Sequence, residues 1–207
     1  GDELFQEIRD AGGEAERSVK QEYYTDSTVS AAYHQLRYRQ EADGSWQYFQ
    51  YDGQGRQAKV ISPFGNYALP VDESGAVLVP DPAHCQVVEY DYALLDSDEE
   101  TYAGDNRPRR IVRKICGVEV GRSYALYFTN EAHDIVCRAA GAAWNAAGNL
   151  ETKRFSSVSG DFAGRHWKTE FPDGQLELTT YEAVAGGGRR ETVVQGVANA
   201  AKTAVTD

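Results

Sequence analysis

The sequence predicts an all-β chain built of antiparallel β-hairpin repeats in an extended or curved sheet. Three observations predict it. Apolar and polar residues alternate with period two over long stretches, as where Trp46 and Tyr48 flank Gln47. Asp-Gly turn signals separate the alternating runs. One spacing of Asp, Gly, Arg and Pro occurs twice.

The elements follow in order. Leu4, Phe5 and Ile8 share one helical face, so a short helix is expected within residues 2–20, broken by Gly12-Gly13. From Tyr33 onward the chain reads as strands. Asp43-Gly44 signals a hairpin, and 45–51 is an aromatic run suited to a strand. Residues 53–55 turn the chain, 57–62 is a strand, and 63–66 turns it again. The run 75–80 reads as a short buried strand and 85–95 as a further one. Residues 96–110, acidic and then basic, read as a solvated loop. They are the one internal boundary expected in a single repeat segment spanning 1–207. Residues 110–120 and 123–129 read as a hairpin about Gly121, and 134–140 as another strand. The Gly-rich stretch 185–190 is a turn, and 197–204 fits either a strand or a frayed helix.

The repeat is the most informative feature. Asp52, Gly55, Arg56, Pro63 and Gly65 have the spacing D-x2-G-R-x6-P-x-G, and so do Asp161, Gly164, Arg165, Pro172 and Gly174. A second spacing, D-G-x6-Y followed by an acid, links Asp43-Gly44 to Tyr51 and Asp173-Gly174 to Tyr181. A weaker copy places Asn145 after Trp144, Gly148 three residues on, and Asn149 where Arg would stand. An Asp or Asn side chain holds a turn by accepting from the backbone two residues ahead. A Gly three residues later takes the positive φ that starts the return strand. The Arg either pairs with the preceding Asp or stands as a solvated edge charge. Residues 43–66 and 160–182 are therefore expected to share one conformation, with Arg56 matching Arg165 and Pro63 matching Pro172.

The stretch Tyr51-Asp52-Gly53-Gln54-Gly55-Arg56, and less closely 144–149, resembles the YD-repeat of the RHS family. Pro172-Asp173-Gly174 resembles its strand-closing turn. The resemblance covers 43–66 and 144–190 well and the middle poorly. It implies ribbons of β-hairpins that spiral into a hollow shell, often around a toxin, in large secreted or surface proteins of bacteria. The partners it implies are other segments of a larger parent protein or a protein cargo, and the location is extracellular or at the cell surface. The chain is shorter than a complete shell. It lacks the D-P-x-G signature of the family's self-cleavage site, so no autoproteolysis is implied.

Composition narrows the remaining classes. The net charge of −11 over 207 residues disfavours nucleic acid. No apolar run reaches 18 residues, so membrane insertion is not expected. The chain contains no Met, which points to an excised or processed segment. Cys85, Cys116 and Cys137 are widely spaced without a CxxC, so zinc is not expected and at most one disulfide can form within the chain. His34, His84, His133 and His166 fall in no metal-ligand spacing. The acidic run 96–100 lacks the spacing of a calcium loop. His133 and Cys137 share strand parity, the one arrangement that admits a Cys-His nucleophile, although a strand with a buried Cys explains it as well. A structural, non-catalytic role without cofactors is therefore the leading expectation. The alternative is a carbohydrate-binding β-domain, with Trp46, Trp144 and Trp167 as stacking surfaces; a recurring aromatic more often builds the common core.

Overall fold

A computed structural model describes residues 4–9, 17–26, 31–95 and 107–206. These residues are all-β and antiparallel, and the hydrogen-bonded order of the fourteen strands is the order of the sequence. The strands are β1 (Leu4–Arg9), β2 (Arg17–Tyr23), β3 (Leu36–Gln40), β4 (Trp46–Tyr51), β5 (Gln57–Pro63), β6 (Cys85–Asp91), β7 (Arg110–Ile115), β8 (Val118–Tyr127), β9 (Glu131–Val136), β10 (Leu150–Ser156), β11 (His166–Glu170), β12 (Gln175–Val184), β13 (Gly188–Ala198) and β14 (Val205–Thr206). Among the described residues, the only helical turn is the 3-10 turn Pro82–His84, capped by the Asp81 carboxylate.

The expected N-terminal helix is not formed. Residues 4–9 pair with β2 from Leu4↔Glu22 to Arg9↔Arg17. Isolated helices shorter than about 12–15 residues are marginal in water. Three apolar residues in phase cannot outweigh a ladder of backbone bonds. At the other end the chain turns at Asn199, whose amide donates to Ala204 O at 3.0 Å, and returns as β14.

The chain divides into two compact units, Gly1–Asp91 with Ile111–Arg122, and Tyr92–Arg110 with Ser123–Asp207. Most of the expected boundary loop, residues 96–106, lies outside the described residues. In the first unit the core is a row of side chains running across strands. Tyr38 stands opposite Tyr48, Tyr48 opposite Ile61, and Ile61 opposite Val87. All four are buried, together with Trp46, Cys85 and Val77. Period two does the sorting: on β4, Trp46 and Tyr48 are buried with Gln47 exposed between them. Each such burial contributes about 1.5–3 kcal/mol relative to exposure. The run 75–80 is not a strand. It makes a single bridge, Val71↔Val77, and inserts Val77 into the core while Leu78 and Val79 face outward.

In the second unit Tyr124 stands opposite Ile135, and these pack with Leu126, Leu95, Phe128, Cys137 and Trp144. Leu176 on β12 is fully buried. β12 and β13 pair from Gln175↔Val197 to Val184↔Gly188, yet β13 is exposed over most of its length.

The hairpin expected about Gly121 turns four residues earlier. Cys116 and Gly117 form its two-residue corner with φ of 49° and 79°, and Gly121 lies inside β8. Positive φ at both central residues is the type I′ corner that matches strand twist. Cysteine does not advertise that conformation as asparagine does, so the sequence points to the wrong glycine.

Candidate functional site

Among the described residues, four turns share one hydrogen-bond pattern. The first residue donates its amide to the carbonyl of the fifth, and the fourth, a glycine, donates to the carbonyl of the first. The first and fifth residues are Glu41 and Ser45, Asp52 and Arg56, Asp72 and Ala76, and Phe171 and Gln175. The glycines Gly44, Gly55, Gly75 and Gly174 have φ of 83°, 77°, 86° and 84°. This is a type I turn closed by a left-handed bulge residue.

The carboxylate holds that turn from either of two corners. At the first corner, Asp52 Oδ1 accepts from the Gln54 and Arg56 amides, both at 2.9 Å. Asp72 Oδ1 accepts from the Ser74 and Ala76 amides at 2.8 and 3.0 Å. At the third corner, Asp43 Oδ1 accepts from the Ser45 amide at 2.9 Å and Asp173 Oδ1 from the Gln175 amide at 3.0 Å. D-x-x-G and D-G are thus two spellings of one turn. Asp52 also binds the Arg56 side chain, with Nε at 2.8 Å and Nη2 at 2.7 Å from Oδ2. Partial burial pushes the Asp52 carboxyl up. The Arg56 side chain and amide outweigh that and hold it below the usual carboxylate range.

The D-G-x6-Y spacing marks a true structural repeat. Hairpins β3–β4 and β11–β12 have the same register at a constant offset: Tyr38↔Tyr48 corresponds to Lys168↔Leu178, Arg39↔Gln47 to Thr169↔Glu177, and Gln40↔Trp46 to Glu170↔Leu176. The terminal tyrosine repeats its bond as well. Tyr51 Oη donates to Leu36 O at 2.9 Å and Tyr181 Oη to His166 O at 2.8 Å, each across 15 residues.

The D-x2-G-R-x6-P-x-G spacing does not carry one conformation. Gly164 shares its φ of 77° with Gly55, but the corner residue of its turn is Ser157: the Ser157 amide donates to Arg165 O at 2.8 Å and Gly164 to Ser157 O at 2.7 Å. Asp161 lies within this longer turn. Arg165 lies over the Tyr181 ring, 5.7 Å from its centre. Pro63 ends β5 opposite Cys85, whereas Pro172 lies within the turn 171–175. The residues between corner and glycine number two in one turn and six in the other, so a match of spacing does not become a match of shape. In the third copy the holding residue is Asn149, not Asn145. Asn149 Nδ2 donates to Ala143 O and Trp144 O, both at 2.9 Å, and Gly148 has φ of 89°.

The three tryptophans do not share one environment. Trp46 is 2% exposed and donates its indole N–H to Tyr67 O, so it is core. Trp144 is half-buried and lines a cavity of about 180 Å³ with Asn145, Asn149 and Glu151. Trp167 is 38% exposed beside Phe155, and Lys168 Nζ lies over both rings.

His133 and Cys137 lie on one strand face with Ile135 between them, about 13 Å apart along an extended chain. His133 Nε2 is 2.5 Å from Glu131 Oε1, and Nδ1 is 2.8 Å from Glu151 Oε1 without hydrogen-bond alignment. Cys137 Sγ points to Ala142 O at 3.8 Å. The imidazole serves carboxylates and the thiol packs with the core, so the two do not form a nucleophile-base pair. Among the described residues, no group of three or more His, Cys, Asp or Glu is placed to hold a metal ion.

Comparison with protein-family models and with curated proteins gives no match. The turn at Asp72 has Ala76 where the repeat has Arg, and its D-x-x-G spacing is the one signal in the sequence that marks it.

Proposed function

We propose that the chain is a structural, non-catalytic segment of an RHS/YD-repeat-like extracellular or surface protein of a bacterium, part of a shell or scaffold that faces a protein cargo. One observation carries this reading. Hairpins follow one another in sequence order, and the D-G-x6-Y unit recurs with the same register, the same turn and the same tyrosine bond. A chain that repeats a turn-and-strand unit in this way is built to extend a sheet. The test is an antibody against residues 43–66 applied to fractions of the source cells. The reading expects a secreted or surface species larger than this chain alone. A cytoplasmic species of the chain's own size overturns it.

A second reading is a carbohydrate-binding domain. The hollow beside Trp144 favours it, since an aromatic face next to Asn145, Asn149 and Glu151 is the chemistry that holds a sugar ring and its hydroxyls. Saturable binding on a glycan array, lost in Trp144→Ala while the circular dichroism spectrum is kept, selects this reading over the scaffold.

A further inference from the structure

We propose that Cys85 and Cys116 are an oxidation site that closes to an intramolecular disulfide by exchange with a small-molecule disulfide such as glutathione disulfide. The Cys116 amide donates to Cys85 O at 2.8 Å, which sets the two residues opposite one another on antiparallel backbone. Opposed residues have Cα atoms roughly 4.5–5.5 Å apart, inside the roughly 4.4–6.8 Å that a disulfide spans. The neighbouring side chains support the same pairing: Glu89, in phase with Cys85 on β6, meets Lys114, two residues before Cys116, at 2.8 Å. Cys116 follows at the corner, close enough to act on the Cys85 thiol.

Their surroundings divide the chemistry between them. Cys116, at the left-handed corner between β7 and β8, is exposed, and Cys85 is fully buried in the core of the first unit. Burial, Asp81 and Cys116 itself push the Cys85 thiol up to about 11, so Cys116 is the thiol that meets the reagent. Its thiolate attacks one sulfur of glutathione disulfide. The S–S bond breaks, one glutathione thiolate leaves, and Cys116 carries a mixed disulfide. Cys85 then attacks the Cys116 sulfur and gives up its proton to a departing thiolate as the second glutathione leaves. Two protein thiols are oxidised by two electrons and one glutathione disulfide is reduced to two thiols. The placement has a purpose in the fold. The first unit is interrupted after Asp91 and resumes at Ile111. A Cys85–Cys116 bond would staple the returning segment to the strand it left.

The test incubates the folded chain with glutathione disulfide and counts thiols after quenching and denaturation. The three thiols fall to one, and a peptide map under non-reducing conditions contains a Cys85–Cys116 link. Cys137→Ser falls from two thiols to none with the same link, and Cys116→Ser forms no link to Cys85. The link forms faster in the native chain than in urea, which separates a site held by the fold from random pairing. A mixed disulfide that stays on Cys116, a link through Cys137, or equal rates in buffer and urea overturns the proposal.

Discussion

A single carboxylate in a turn accounts for much of the local order around residue 52. Asp52 satisfies two backbone amides and one guanidinium at once. Asp52→Ala is expected to cost about 1–2 kcal/mol in urea unfolding, because it leaves those donors to solvent. The pH dependence follows from the direction of the shift. The folded carboxyl sits below its unfolded value, so the stabilisation is complete above that value, about 3.9, and is lost as pH falls through the folded one. Acid titration of the wild type against Asp52→Ala should show a constant difference in stability above pH about 4, which shrinks as the pH falls further. Gly55 and Gly164 give a sharper comparison. They have the same φ, so an added Cβ costs about 1–3 kcal/mol of backbone strain at both. At Gly55 that Cβ would also meet Ala31 O at 2.7 Å, whereas at Gly164 it would meet nothing within 4 Å. Gly55→Ala should therefore destabilise more than Gly164→Ala by thermal or urea melting. Equal losses would show that only φ matters.

At the scale of the element, the unit is a hairpin plus the tyrosine that ties its second strand to the start of its first. Tyr51→Phe and Tyr181→Phe should each cost about 0.5–1.5 kcal/mol, since each removes one half-buried hydroxyl bond to a backbone carbonyl. Near-equal losses are the signature of a repeat; a loss at one site alone means that the two hairpins are held differently. This scale also separates what could be read in the sequence from what could not. The β4, β5 and β6 strands were legible because runs of aromatic and β-branched residues stand between turn signals, and on β4 Trp46 and Tyr48 flank the exposed Gln47. The turns at Asp43, Asp52 and Asp173 were legible because a carboxylate and a glycine stand at fixed steps. The corner at Cys116 was not, since nothing in a thiol announces a left-handed backbone. The strand at Leu4 was not either, because it is decided by pairing with β2 and not by its own residues. Of the candidate site, the turn residues at 51–56 were found by spacing, while Ser157 was hidden by Asp161, which imitates the right spacing inside a longer turn.

Across the whole molecule, burial and hydrogen bonding are distributed unevenly among strands that look alike in topology. β12 and β13 share the most extended ladder, from Gln175↔Val197 to Val184↔Gly188. Yet Val193, Val194 and Val197 on β13 are about half exposed or more, while the row Tyr38, Tyr48, Ile61, Val87 is within a few per cent of complete burial. A ladder between two strands exchanges water bonds for protein bonds with modest net gain. The buried row adds apolar area removed from water, so it should set the free energy of the largest opening. β14 covers only Val197 and Ala198, which leaves little along the outer edge of β13 to close against. Native-state hydrogen exchange is therefore expected to rank the amides by burial and not by ladder length. The Tyr48, Ile61 and Val87 amides should exchange only by the largest unfolding event. Those of β13 from Arg189 to Gln195 should exchange by smaller openings, with little dependence on denaturant. If β13 proves as protected as β4–β6, the length of the ladder outweighs the packing of its faces.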